Sequence, residues 1–364
     1  MSFEIGNSIK LTIGGASHSA SIKAVLEGFP VGEKIDLEEV NAFLKRRQGG
    51  KAKYTTPRKE KDEPVILSGL SEDGIILNGK IEAEFINSNV KSEDYKAMRV
   101  VPRPSHADYV AYRKYNGSLN MAGGGFFSGR MTLPMCFGGA VAMQLLEKRG
   151  IKIRAHILSV GEVMDTPFDA VSDSCEEINT EGLPVINPDS AQKMTEVMEK
   201  TAAEMDSIGG VIECKVTGMP VGIGDPVYDS LESIISYGMF GIPAIKGIEF
   251  GRGFDISKTK GSESNDAFII VDGEVRTKTN NSGGIQGGIS NGMPIIFRVA
   301  VKPTPSIFKE QQSVDLITMT ETTLKIEGRH DSCIVPRVVP CVEAMCALML
   351  FDAITFDDII NRRE

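Results

Sequence analysis

Apolar positions recur at helical spacing in only a few stretches of this chain, and those stretches give its first predicted elements. Leu37, Val40, Phe43 and Leu44 share one face after Asp36-Leu-Glu-Glu39, which reads as a capping box. The same stretch closes on Lys45-Arg46-Arg47 and Gly49-Gly50, as a helix end should. Ala191, Met194, Val197, Met198 and Met205 predict a second helix, opening near Asp189-Ser190 and stopped by Gly209-Gly210. Two more helices are expected at 140–148 and 342–353. Runs rich in β-branched residues predict strands at 64–67, 151–160, 211–217, 268–271 and 294–301. The connections 46–63, 99–132, 251–266, 276–292 and 302–333 are polar and glycine-rich. Loops of that length in a compact domain are usually functional, so the expectation is an α+β scaffold carrying its chemistry on loops.

Composition narrows the class. A length of 364 residues suggests about two domains, yet no linker, repeat or low-complexity tract divides the chain. With 41% hydrophobic and 24% charged residues a substantial core is available. The net charge of −9 argues against nucleic acid as a partner, because that binding rests on neutralising phosphates. The six cysteines contain no Cys-x-x-Cys pair, so structural zinc is not expected and buried thiols are. The start MSFEIGNSIKL lacks a signal pattern, and no 18 consecutive residues are apolar. A reduced, cytoplasmic protein that does not engage a membrane is the expectation.

Against that acidic background, three loops are basic. Residues 45–61 hold eight lysines and arginines, and 99–115 and 325–337 are similar in kind. Arginine forks match phosphate and carboxylate geometry. His106 and His330 each stand near an aspartate in these loops, where a histidine can be tuned for proton transfer. His18 sits between Ser17 and Ser19 after two glycines. His156 lies in an apolar strand-like run and reads as a core histidine. No metal-ligand spacing occurs, and a Ser17–His106–Asp331 hydrolase is disfavoured because no Gly-x-Ser-x-Gly elbow is present. The glycine clusters at 123–125, 283–284 and 287–288 fit neither a P-loop nor a dinucleotide fingerprint.

Taken in order, the loops resemble the chorismate synthase family. The residues that carry the likeness include SHS at 17–19, RR at 46–47, KYTTPRKEKDE at 53–63, RPSHADY at 103–109 and GGG at 123–125. They continue through IKGIEFGRGF at 245–254, NNSGGIQGGISNG at 280–292, KPTPSI at 302–307, GRHD at 328–331 and VPCVEAM at 339–345. The likeness spans nearly the whole chain and implies one domain over 1–364, a sandwich with helices layered between antiparallel sheets. It implies anti-1,4-elimination of phosphate from 5-enolpyruvylshikimate 3-phosphate to give chorismate. It also implies reduced FMN as cofactor, a homotetramer, and either NADPH or an external flavin reductase as the source of electrons.

By motif position the likeness assigns His18 and His106 as acid–base histidines, with Ser17 as a relay hydroxyl and Asp352 as a proton-relaying carboxylate. Arg47, Lys53 and Arg130 become substrate-binding positions; Arg337 and Arg103 are added from their chemistry as further anion ligands. Flavin positions fall on Phe126, Phe127, Ser128, Pro243, Ala244, Gly287, Lys302, Pro303, Thr304, Pro305, Ser306 and Arg329. The chain departs from the family pattern at Ala16, Ser19, Ser105, Phe126, Phe127 and Met131, where the pattern has Glu, Gly, Gly, Arg, Ser and Glu. The changes at 126–131 alone remove one positive charge and one carboxylate from the expected site, and the departures together predict slower turnover or looser flavin binding. A related protein that binds flavin or substrate without turnover is the alternative.

Overall fold

A computed structural model of the chain describes residues 2–50, 61–87, 100–118, 122–179, 182–326 and 330–361. Its first half runs β1 (Ser2–Ile5), β2 (Lys10–Gly15), β3 (Ser21–Glu27), α1 (Leu37–Arg46), β4 (Val65–Ser68), β5 (Lys80–Ile86), α2 (Asp108–Lys114) and α3 (Thr132–Glu147). Then come β6 (Lys152–Val160), β7 (Val163–Met164), α4 (Pro188–Ala203), β8 (Gly210–Thr217), α5 (Leu231–Phe240), β9 (Ile245–Phe250) and α6 (Gly261–Ser264). Two hairpins follow, β10–β11 (Phe268–Val271, Glu274–Thr277) and β12–β13 (Ile285–Gln286, Ile289–Ser290). The chain closes with β14 (Ile295–Val301), hairpin β15–β16 (Gln311–Asp315, Thr320–Leu324) and α7 (Val335–Asn361).

Two five-stranded antiparallel sheets carry the architecture, ordered β1-β2-β3-β5-β4 and β7-β6-β8-β14-β9. In the first, Ile22, Ala24 and Leu26 on β3 alternate inward with Ile81, Ala83 and Phe85 on β5, the period-two pattern of a half-buried sheet. Helices α3 and α7 lie against each other between the sheets, α3 touching β2, β3 and β6, and α7 touching β6 and β8. This is the α+β sandwich expected from the family likeness.

The close approach of α3 and α7 depends on Gly138-Gly139. A Cβ on Gly139 would lie 2.3 Å from the Ala344 Cα on α7, and one on Gly138 would lie 2.9 Å from Leu26 on β3. Two glycines inside a helix cost about 1 kcal/mol each, which the packing of both backbones offsets. The α7 window Val335–Ile360 is long and apolar enough to cross a membrane, but 89% of it is buried between the sheets, so it is a core helix.

Several elements differ from expectation. Asp36 caps α1 through Glu38 and Glu39 N–H, but its own N–H donates to Gln144 Oε1 at 2.8 Å, so the box closes through α3 and not through Glu39. Helix α4 opens one step earlier, capped by Asn187 with Pro188 in the first turn, and ends at Ala203; Met205 lies beyond it, exposed and at φ +60°. Helix α3 begins at Thr132, eight residues before 140, and α7 is more than twice its expected length. Strands β1–β3 and β5, and helix α5, were not anticipated. His156 is a core histidine as expected, fully buried between Asp165 Oδ2 at 3.1 Å and Glu213 Oε2 at 3.2 Å.

Candidate active site

A cavity of about 720 Å³ opens where the C-terminal end of α1, the glycine turn before α3, the α5–β9 connection, residues 302–306 after β14 and the start of α7 meet. Among the described residues it is lined by six cationic side chains, Arg47, Arg103, Arg130, Lys246, Lys302 and Arg337, against two carboxylates, Asp62 and Asp331. In a chain of net charge −9 this is a strong local reversal, one that focuses anions into the cleft. The volume lies in the range of small-molecule sites.

The arginines are held by carboxylates, not left to solvent. Asp62 bridges Arg47 and Arg130, and all three side chains are almost wholly buried. Burial pushes the Asp62 carboxyl upward, but the two guanidiniums outweigh it and hold the group below its usual range. Arg130 Nε donates to Asn87 Oδ1 at 2.7 Å. Arg337 donates to the Arg47 carbonyl at 3.0 Å and to Asp331 Oδ2 at 2.6 Å. Among the described residues, the buried Arg47 Nε has no acceptor, so it remains available to an anionic ligand.

His106 is oriented from behind. Its Nδ1 lies 2.7 Å from Asp108 Oδ1, and Arg103 clamps the same carboxylate through Nε at 2.7 Å and Nη2 at 2.9 Å. Desolvation would raise the Asp108 carboxyl, but hydrogen bonds from Arg103 and His106 hold it well below the usual carboxylate range. With Nδ1–H given to Asp108, the other ring nitrogen faces the glycine turn, 3.7 Å from where a Gly124 Cβ would stand.

Backbone strain gathers at the same place. Asp62, Ser105 and Ala244 line the cavity at φ of +53°, +59° and +76°. Each non-glycine residue in that region costs of order 1–3 kcal/mol, and such strain concentrates at functional sites. Lys302 Nζ donates to the Ser105 carbonyl at 2.6 Å, and its backbone N–H donates to the Ala244 carbonyl at 3.0 Å, tying two of these positions together. Burial and the nearby Lys246 charge both lower the Lys302 ammonium below its ordinary value.

Most of the expected site residues converge here: His106, Arg47, Arg103, Arg130, Arg337, Phe126, Phe127, Ser128, Pro243, Ala244, Lys302, Thr304, Pro305 and Ser306 all line the cavity. Others do not. Ser17 is fully buried, its N–H donates to the Gly125 carbonyl at 3.3 Å, and its hydroxyl lies 3.1 Å from His18 Nδ1. Ser17 is thus tied to the glycine turn, and neither it nor the half-buried His18 is among the residues that line the cavity. Asp352 lies in α7, where its carboxylate accepts the N–H groups of Asn7, Ser8 and Ile9 at 2.7–2.9 Å; it fastens the β1–β2 turn and does not reach the cavity. Gly287 sits at the β12–β13 turn with φ +62°, and Pro303 is likewise absent from the lining. Lys53 and Arg329 lie outside the described residues.

Sequence reasoning missed Asp62 and Lys246, and read Asp331 as an acid tuning His330, not as a partner of Arg337. Asp62 stands between Glu60 and Glu63 at the end of the basic loop, so nothing local singles it out. The departures are explained in part. Met131 is buried at the start of α3, and Phe126 packs edge-on against Phe3 with ring centres 5.5 Å apart. Ser19 Oγ accepts the Ala16 N–H at 2.9 Å, closing the turn that holds His18. The residues present suit a flavin phosphate near Lys246 and Lys302 and an apolar ring near Phe126 and Phe127.

Known proteins agree with this picture. The family model described as Chorismate synthase matches residues 9–355. Curated proteins of that name are similar along almost their whole length. The one from Lancefieldella parvula is 42% identical over 97% of this chain and 96% of its own, and the one from Korarchaeum cryptofilum is 41% identical over 96% of each. The one from Dehalococcoides mccartyi is 40% identical over 100% of this chain and 99% of its own. A solved structure titled Crystal Structure of Chorismate Synthase superposes with a TM-score of 0.73 at 26% identity, covering 98% of this chain and 99% of that one. With a family match over this span and relatives above 40% identity, the chain belongs to the chorismate synthase family, and is a lyase of that class.

Proposed function

We propose that the chain removes phosphate from 5-enolpyruvylshikimate 3-phosphate to give chorismate, with reduced FMN bound in the same cavity. The observation that carries this reading is the pairing of six cations with two carboxylates around one cleft of about 720 Å³. The substrate has a phosphate and two carboxylates, so it needs several cations converging without water between them. The C–O bond to phosphate breaks and a ring proton is lost at C6, with no net oxidation. Arg47, Arg130 and Arg337 hold the anionic groups and stabilise the charge gathering on the departing phosphate. Reduced FMN, when bound, supplies transient electron density that helps the phosphate leave. Phe126, Phe127, Ala244 and Lys302 through Ser306, with Lys246, are the residues that would hold it. His106, its tautomer fixed by Asp108, holds or moves a proton at Nε2 facing the glycine turn. Ser17 supports that turn through its backbone N–H, with His18 beside it.

The homotetramer is part of the same reading. Strand β10 exposes Phe268 and Ile270 at 69% each, apolar surface that a partner copy would cover. The compartment is taken as cytoplasmic and the flavin as reduced by a separate NADPH-dependent reductase. The deciding experiment is chorismate formation under anaerobic conditions with chemically reduced FMN, repeated in air with NADPH alone. Chorismate in the first arm supports the reading, and none at high enzyme concentration refutes it. Turnover in the second arm would show that the chain reduces its own flavin.

A further inference from the structure

We propose that Cys136 and Cys341 form a redox-responsive dithiol beneath the anion-binding arginines, closed to a disulfide by a small hydroperoxide that enters through the cavity. The two sulfurs lie 3.7 Å apart, one on α3 and one on α7. A disulfide needs about 2.05 Å, so the sulfurs must approach by about 1.7 Å. The helix backbones are already close there. Gly139 meets Ala344 with no room for a Cβ, and each of those residues is three positions along its helix from a cysteine.

Access and reactivity differ between the two thiols. Cys341 lines the cavity and Cys136 does not. Cys136 donates its S–H to Cys341, and the Arg47 and Arg337 charges lie near, so the Cys341 thiol is held below its ordinary value against burial. Burial drives the Cys136 thiol upward. The pair therefore consists of an attacking sulfur at the cavity and a resolving sulfur behind it. The Cys341 thiolate attacks a peroxide oxygen; the S–O bond forms, the O–O bond breaks and hydroxide leaves as water. The Cys136 sulfur then attacks the Cys341 sulfur; the S–S bond forms, the S–O bond breaks and a second water leaves with the Cys136 proton. Two thiols and one hydrogen peroxide become one disulfide and two waters.

The consequence runs through α7. Cys341 lies one turn after Arg337 and donates to its carbonyl at 3.4 Å, and Arg337 in turn holds the Arg47 carbonyl and Asp331. Drawing the sulfurs together shifts the start of α7 against α3, and with it the spacing of Arg47, Arg130 and Arg337. A built-in comparison exists: Cys214 and Cys346 are also buried hydrogen-bond partners, but neither lines the cavity.

The test uses the full chain without cofactor, treated with a few equivalents of hydrogen peroxide, alkylated and mapped as non-reduced peptides. One cross-link joining the Cys136 and Cys341 peptides is expected, reversed by dithiothreitol, absent in Cys136→Ala and retained in Cys214→Ala. Affinity for inorganic phosphate, measured by calorimetry, falls about tenfold in the oxidised protein, the loss of roughly one charge-assisted hydrogen bond. Cys341→Ala, which removes the attacking sulfur, keeps its phosphate affinity through the same treatment. Absence of that cross-link, or equal oxidation of Cys214 with Cys346, overturns the proposal; so does a cross-linked protein with unchanged phosphate affinity. Neither readout depends on the proposed elimination, so a failed chorismate assay leaves this result to stand or fall by itself.

Discussion

Replacing Asp62 with asparagine isolates the balance on which the anion site rests. The carboxylate is the shared counter-ion of Arg47 and Arg130, and the side chains of all three are at most 6% exposed. Asparagine keeps the shape but leaves two buried guanidiniums with no opposite charge between them. Removing one partner of a buried ionic cluster costs about 3–5 kcal/mol. With about 0.8 kcal/mol/K of unfolding entropy for 364 residues, the lower figure lowers the melting temperature by about 4 °C. Because the folded Asp62 pKa is depressed, its stabilisation is present above the ordinary carboxylate pKa and is lost as pH falls through the folded value. The gap between parent and variant is therefore full at pH 7 and closes in acid, below about pH 4. Inorganic phosphate can take the missing charge's place, so it raises the variant's melting temperature more than the parent's. Scanning calorimetry at pH 7 and at about pH 2, with and without phosphate, reads all three effects. A variant that melts with the parent at pH 7, or that gains no more from phosphate, would refute the assignment of Asp62 as counter-ion.

Other expectations follow from the same geometry. Asp108→Asn frees the His106 ring from its fixed tautomer and lowers kcat by about 100-fold with a smaller change in KM, measured as chorismate release across pH 6–9; an unchanged kcat would remove His106 from proton transfer. Since the folded Asp108 pKa lies well below the ordinary value, its clamp on Arg103 and His106 stays intact from neutral pH through mild acid, and near-ultraviolet circular dichroism should stay flat there. Lys302→Met removes a charge-assisted contact and weakens FMN binding about tenfold or more in a fluorescence titration. Gly139→Ala forces a Cβ against Ala344 and destabilises by about 1–3 kcal/mol in urea, with the unfolding slope unchanged.

The parts of the fold that sequence exposes are those whose signal is local. Helix α1 declares itself because Asp36 caps it, one face is apolar and glycines end it. Helix α3 is half hidden, because residues from Leu133 to Leu146 are almost all buried and a helix covered on every side has no periodicity to read. The same holds for α7. Strands β2 and β3 flank the glycine-serine turn that draws the eye to His18, so the turn was seen and its strands were not. Arg47, Arg103 and Arg337 were legible because each sits in a basic loop, and Arg130 through the family likeness. The shared counter-ion Asp62 was not, because its pair with Arg130 spans 68 residues. Asp352 shows the converse. The family likeness gives it a proton-relaying role, yet its partners are three backbone N–H groups about 344 residues earlier.

That last bond, together with the position of α7, bears on how the protein is made. All ten strands of the two large sheets precede α7, the layer that separates them. Until residues 335–361 leave the ribosome, the sheet containing β6 and β8 lacks the helix that packs on it and residues 7–9 lack their anchor. At about 5–20 residues per second, the stretch from the end of β8 to the end of α7 takes roughly 7–29 s to emerge. A chain cut short before α7 leaves that face open, and pulse-chase labelling is expected to show it lost to aggregation or proteolysis, not recovered as a smaller enzyme.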